Sequence, residues 1–224
     1  MIKIYSLKKD GDKKLSPHFK VREFRSKDGA DLIYIDTALV DTLEKVRDHF
    51  DCSKINLASA YRTASHDKRV GGRGYGAHVE GKAADFTAFN KDGSRIKSRE
   101  LVLYLEDIGI KGIGYRSGGS EYSTHCDVNY RTRNWFGDEK YSNTASVGTF
   151  YDYLGVKYKN ASVTASALNV RREPTVSSGS IKTVYRNSRL AVADTVRINR
   201  DGYTWCRVKI DGNHYWVAER YLRF

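Results

Sequence analysis

Three residues in this chain have the types and spacing to hold a metal ion. His78 and Asp85 stand seven residues apart in the stretch Gly71-Gly72-Arg73-Gly74-Tyr75-Gly76-Ala77-His78-Val79-Glu80-Gly81-Lys82-Ala83-Ala84-Asp85-Phe86. Five glycines in eleven residues, 71 to 81, let this backbone take positive φ and pass close to other groups. A loop imidazole and a carboxylate at the start of a strand then offer one nitrogen and one oxygen to a zinc ion. On their own the two also fit a surface pair. His125, in Ser123-Thr124-His125-Cys126-Asp127-Val128-Asn129-Tyr130, supplies a third donor. The alternation there suits a strand, with His125 and Asp127 on one face and Thr124, Cys126 and Val128 on the other. His, Asp and His leave a position for water, which is the catalytic kind of zinc site. Asp127 then either orients His125 or acts on a proton. A polar strand face meeting solvent is the plainer alternative.

Other chemistry is weaker. Cys52, Cys126 and Cys206 are odd in number and form no Cys-x-x-Cys pair, so they read as small buried thiols. A Cys126 nucleophile with His125 as base is disfavoured, because strand neighbours point to opposite faces. Arg62 ends an apolar strand just before a loop, where it either grips a carboxylate or stays solvated. His18 reads as a turn residue, His66 and Asp67 as a surface loop, and His214 as exposed. His49 reads as a favourable charge at a helix C-terminus.

Helical spacing of Leu39, Leu43, Val46 and Phe50 predicts a helix over 38–50, capped by Asp36 or Thr37. Ile55–Tyr61 predicts a strand, Ser98–Ile108 a helix capped by Ser98, and Ile113–Tyr115 with Ser123–Tyr130 a hairpin joined through residues 116–120. This mixture suggests an α+β domain. From Val163 the pattern changes to short strands with turns, two of them Asp201-Gly202 and Asp211-Gly212, which predicts a small β-barrel. The expected organisation is a domain over 1–155, a linker over 156–162 and a second domain over 163–224.

The 224 residues are 40 % hydrophobic, which fits one large or two small globular domains. No run approaches membrane-spanning length, so no membrane insertion is expected. The N-terminal stretch lacks a signal peptide's apolar core, so a cytosolic product is expected. Net charge is +12, and residues 156–224 carry 13 basic against 5 acidic side chains. That suits a polyanion. No aromatic and basic recognition platform accompanies it, so nucleic acid is not expected as a partner.

Two families match these residues. Phe19-Lys20-Val21-Arg22-Glu23-Phe24, Ser59-Ala60-Tyr61-Arg62-Thr63, Val70-Gly71-Gly72, His78 to Asp85, and His125-Cys126-Asp127 with Trp135 come in the order of the zinc D-Ala-D-Ala carboxypeptidase and L-alanyl-D-glutamate endopeptidase family, which this half resembles, in its phage endolysin branch. The resemblance implies that His78, Asp85 and His125 bind one Zn2+ and that Arg62 contacts substrate. Two positions depart from the pattern. Gly76 stands where the family usually has Ser, and Tyr122 where better-known members carry an acidic general base. Asp127 or Glu121 then takes the base's role, and Tyr122 donates to an oxyanion. Residues 163–224 resemble bacterial SH3 (SH3b) domains through Leu168-Asn169-Val170-Arg171, Pro174, Tyr203–Val208, Gly212 and Tyr215-Trp216-Val217. There Trp216 is a candidate groove wall and Trp205 a core residue.

The resemblance thus implies an α+β zinc peptidase domain, a small antiparallel sheet flanked by helices, followed by an all-β SH3-like barrel. The implied activity is peptidoglycan hydrolysis by a monomer made in a host cytoplasm and acting on the wall after release. The bond is a stem-peptide amide, with L-Ala–D-Glu preferred. The alternatives are a D,D- or L,D-carboxypeptidase, or a non-catalytic wall-binding protein with a degenerate peptidase fold.

Overall fold

The computed structural model describes residues 1–115, 124–130, 134–137, 140–142 and 147–224. The chain divides into two compact units, Met1–Ala145 and Ser146–Phe224. Among the described residues no helix is long and apolar enough to cross a membrane.

The first unit runs β1 (Ile2–Ser6), α1 (Leu7–Asp10), β2 (Leu32–Asp36), α2 (Thr37–His49), β3 (Lys54–Ser59), α3 (Ala64–Arg69), β4 (Ala83–Phe89), α4 (Ser98–Asp107), β5 (Gly112–Gly114), β6 (Thr124–Asp127), β7 (Asn134–Gly137) and β8 (Lys140–Ser142). Strands β1 and β2 pair by themselves, and the rest form a sheet in the order β3-β4-β6-β5-β7-β8. The predicted all-antiparallel sheet is therefore mixed, because β5 and β7 run parallel. The predicted hairpin partners β5 and β6 do pair antiparallel, with Ile113 opposite Cys126. The residues that join them, 116–123, lie outside the described chain.

Helix α2 forms as its periodicity predicts. Leu39, Leu43 and Val46 are all at most 1 % exposed, and Asp36 is the cap, accepting from the Ala38 amide at 2.9 Å. Truncating either leucine to alanine would cost about 2–5 kcal/mol. Helix α4 is capped differently from the prediction. Ser98 is its first residue, the cap position belongs to Lys97, and no side chain caps it. His49 is also not a helix-dipole charge. Its ring stacks on Tyr104 at 4.0 Å, and burial pushes its pKa down.

The second unit runs α5 (Val147–Tyr153), β9 (Tyr158–Val163), β10 (Ala167–Arg171), β11 (Ser180–Tyr185), β12 (Arg189–Ala193), β13 (Ile198–Arg200), β14 (Tyr203–Ile210), β15 (Asn213–Ala218) and β16 (Leu222–Arg223). Its strands follow the order β11-β10-β15-β14-β12-β9-β16, with β13 beside β14. The ends β11 and β16 do not pair, so the predicted barrel is an open antiparallel sheet. Both Asp-Gly turns join strands as expected: Asp201 and Gly202 take φ 54° and 73°, Asp211 and Gly212 take 51° and 77°, which matches the twist of a two-residue hairpin.

Three expectations fail in this unit. The stretch predicted as linker contains β9, which pairs with β12 through Leu190 opposite Ala161 and with β16. Polar residues dominate there, but Ala161 and Val163 are buried at 3 % and 1 % and belong to the core. His214 is not an exposed turn residue; its Nε2 lies 2.7 Å from the Tyr158 hydroxyl. Burial, then Arg207 and Lys209, push its pKa down to about 4. Trp216 is no groove wall, because only 1 % of it is exposed and the Arg207 guanidinium covers its ring at 4.5 Å.

One close approach ties the first unit's loop to its strands. Gly81, at φ 72°, sits so near β2 that an added Cβ would overlap the Tyr34 carbonyl, and its own carbonyl accepts from the Asp36 amide at 2.8 Å. Gly93 has φ 84° and open space around its Cβ position. Gly81→Ala should therefore cost on the order of 3 kcal/mol by urea unfolding followed by circular dichroism, and Gly93→Ala only about 1 kcal/mol, the left-handed strain alone. Equal losses would refute the close approach as the reason for glycine.

Candidate metal centre

Strand pairing brings the two most distant candidates together. Asp85 of β4 lies opposite His125 of β6, flanked by Ala84 opposite Cys126 and Ala83 opposite Asp127. Alternation buries Ala84, Phe86 and Cys126 completely and turns Asp85, His125 and Asp127 to the other face. His125 Nδ1 stands 2.8 Å from Asp85 Oδ1.

His78 arrives from the glycine-rich loop, held at three points. Its Nδ1 lies 2.7 Å from the Ala60 carbonyl oxygen. That oxygen only accepts, so Nδ1 carries a proton, and Nε2 is the nitrogen turned to Asp85 Oδ2 at 3.4 Å. The His78 carbonyl accepts from the Arg62 amide at 3.1 Å and the Gly81 amide at 3.2 Å. Gly76, two residues earlier, has φ 115°. A serine there would be strained, which accounts locally for the departure from the family pattern.

The result is a cluster of two imidazole nitrogens and one carboxylate oxygen, all within 4.8 Å of one another. The side chains of His78 and His125 are each 13 % exposed and that of Asp85 24 %, so solvent reaches the cluster. These donors suit zinc: borderline-soft nitrogen and a hard oxygen at a site with an open side.

Arg62 and Asp67 brace the cluster. The guanidinium donates to Ser59 Oγ at 2.8 Å, Asp67 Oδ1 at 3.2 Å and Asp85 Oδ2 at 3.0 Å. Ser59 faces Arg62 because a bulge skips Ala58: Leu57 pairs with Phe86, and Ser59 pairs with Asp85. The sequence predicts His66 and Asp67 in a surface loop; instead they lie in α3, and Asp67 is only 5 % exposed. Its Oδ2 accepts from the Gly74 amide at 2.9 Å. A Cβ on Gly72 would land on its carboxylate. The signal for Asp67 was the glycine pair just after it, which leaves room for a buried carboxylate.

Asp127 is 2 % exposed. Its Oδ2 lies 3.8 Å from His125 Nε2, and its Oδ1 accepts from the Asn129 amide at 2.6 Å. Both oxygens are engaged on the side of the imidazole away from Asp85, the place of a group that orients a ligand. Glu121 and Tyr122 lie outside the described residues. Cys126 is fully buried, and burial pushes its thiol far up, so it is no nucleophile.

Burial would raise the Asp85 pKa, but hydrogen bonds from His125 and His78 outweigh it and hold the carboxyl well below its usual range. Burial would lower His125, yet Asp127 and Asp85 raise it from 6.5 to about 9. Without metal, the stability from this ion cluster is complete below His125's ordinary pKa of 6.5 and is lost as pH rises through about 9. A metal ligand must be the neutral imidazole, so metal uptake near neutral pH displaces a proton from His125. Apparent zinc affinity, measured by chelator competition, should rise about tenfold per pH unit from neutrality towards about 9. A flat profile would mean that His125 is already neutral.

Comparison with protein families matches residues 14–127 to Peptidase M15 and residues 166–223 to the bacterial SH3 domain. Comparison with curated proteins returns no match. The first match covers half of the chain and contains His78, Asp85, His125, Arg62, Asp67 and Asp127. The chain therefore belongs to the peptidase M15 family and carries a bacterial SH3 domain after its peptidase unit.

Proposed function

We propose that this protein is an endolysin-like zinc peptidase that hydrolyses a stem-peptide amide of peptidoglycan, the L-Ala–D-Glu bond, and is held on the wall by its SH3 unit. The observation that carries the reading is the convergence of His78 Nε2, Asp85 and His125 Nδ1 on one solvent-reached point, with each ligand held from behind. A zinc ion held there supplies Lewis acidity and a coordinated water whose pKa falls to about 7.

The chain's own residues prepare that point. Asp127 keeps the His125 ring turned so that Nδ1 faces Asp85. The Ala60 carbonyl holds the proton of His78 on Nδ1. Arg62 fixes Asp85, and its remaining N–H groups are suited to a substrate carboxylate. Proton transfer to the leaving amine is assigned to Glu121, with Tyr122 as the oxyanion donor. Asp127 is better placed to orient than to shuttle, since both of its oxygens are engaged.

The SH3 unit offers a groove of about 270 Å³ lined by Arg171, Val176, Tyr203, Trp205 and Tyr221. Arg220 sits 4.2 Å over the Tyr203 ring and 4.9 Å over the Tyr221 ring. An aromatic trough beside cations suits an anionic wall polymer, and linking it to the peptidase raises the enzyme's local concentration there.

Two experiments test this reading. Purified peptidoglycan digested with and without zinc, with products read by mass spectrometry, should give new N-terminal D-Glu and free L-Ala ends only with zinc, and none with the folded His125→Ala variant. Released D-Ala instead would make the enzyme a carboxypeptidase; activity without zinc would end the metal mechanism. Separately, Tyr203→Ala should weaken pelleting with whole cell walls about fivefold or more while leaving cleavage of soluble stem peptide intact. Unchanged pelleting would move wall binding off this groove.

A further inference from the structure

Asp67 is not among the three candidate ligands, yet both of its oxygens are committed to the supports of the metal cluster. Oδ1 accepts from Arg62 Nη1 at 3.2 Å and Oδ2 from the Gly74 amide at 2.9 Å. The first contact reaches a ligand, because the same guanidinium donates from Nη2 to Asp85 Oδ2 at 3.0 Å. The second reaches the loop that carries His78, four residues beyond Gly74. With Nε on Ser59 Oγ at 2.8 Å, the guanidinium is held at all three of its nitrogens.

The Asp67 carboxylate meets an electrostatic difficulty. Arg62 sits on Asp85 Oδ2, the oxygen that also faces His78 Nε2 at 3.4 Å. A guanidinium there opposes a divalent cation at the same carboxylate: it repels the ion and occupies lone pairs that the ion needs. A second carboxylate on Nη1 offsets that charge, and with only 5 % of Asp67 exposed, solvent screens the pair little. An asparagine of the same shape cannot stand in. Both contacts come from N–H donors, so one of them would meet the amide NH2 instead of an oxygen. The carboxylate is also confined sterically, since a Cβ on Gly72 would overlap it.

We propose that Asp67 is a positioning residue for metal binding: it balances Arg62, so that the guanidinium holds Asp85 in place without weakening it as a ligand. The proposal rests on the metal reading of the cluster and not on hydrolysis, so its readout is the zinc Kd of the full-length protein, measured by chelator competition without substrate. Asp67→Asn, with folding checked by circular dichroism, should raise that Kd about tenfold or more, the usual loss when a group supporting a ligand is removed. Gly72→Ala displaces the carboxylate and changes no charge; it should raise the Kd in the same direction, and it decides the matter where Asp67→Asn does not fold. In an Arg62→Gln background, Asp67→Asn should change the Kd by less than about threefold, because the charge it balances is gone. An unchanged Kd in the folded variant, or an equal loss that persists without Arg62, would overturn the role; the second result would leave Asp67 a support of the loop alone. A parent protein that binds no zinc would overturn the metal reading and the role of Asp67 together. Zinc binding that depends on Asp67 through Arg62 but brings no wall digestion would overturn only the hydrolase reading.

Discussion

A single carboxylate, Asp85, is shared by two imidazoles and a guanidinium, and much of the first unit exists to make that sharing possible. A half-buried anion is stable only where cations or donors face it. Each of the four groups comes from a different piece of chain. The pairing of β4 with β6 brings His125, the glycine-rich loop brings His78, and the end of β3 brings Arg62. The charges also need fixed backs. The Ala60 carbonyl stands behind His78, Asp127 behind His125, and Asp67 with Ser59 behind Arg62. The glycines are then readable as consequences, since Gly72 yields space to Asp67 and Gly81 lets the loop touch β2.

The candidate ligands stand out in the sequence because alternation and glycine clustering are local signals. His125 and Asp127 share a strand face whatever the tertiary fold, and the Asp-Gly turns specify their own geometry. What failed was information held in partners distant along the chain. Asp67 looks like any polar residue of a short segment until Arg62, Gly72 and Gly74 surround it. The residues 158–163 carry too few apolar side chains to announce a strand, and only β12 and β16 make them one. Both tryptophans lie in one buried cluster, Trp205 as expected and Trp216 against expectation, for the same reason. Trp205 reaches the groove lining although only 2 % of it is exposed, and Trp216 lies beneath Arg207. Which face of a small open sheet becomes the floor of a groove is decided by the loops that cross it.

The two units rest on different physics. The second is an apolar core of small β-branched and aliphatic side chains, Val163, Val170, Val192, Val208 and Val217 among them, closed around a buried Cys206. It contains no comparable cluster of metal-binding side chains among the described residues. The first keeps an equally apolar layer beneath its sheet, with Phe86, Ala88, Leu43 and Leu105 fully buried, and reserves the opposite face for charge. The candidate metal centre thus lies on one side of one sheet.

The bulge at Ala58 makes chain length itself a coordinate of the metal cluster. Ser59 faces Arg62 only because β3 holds one residue more than β4 requires. Were the ladder regular, Ala58 would stand opposite Asp85 and Ser59 would turn to the other face, away from the guanidinium, though no candidate ligand had been touched. A length change in β3 away from the bulge therefore shifts the alternation that a substitution leaves in place, whereas loss of Ala58 alone would only regularise the ladder.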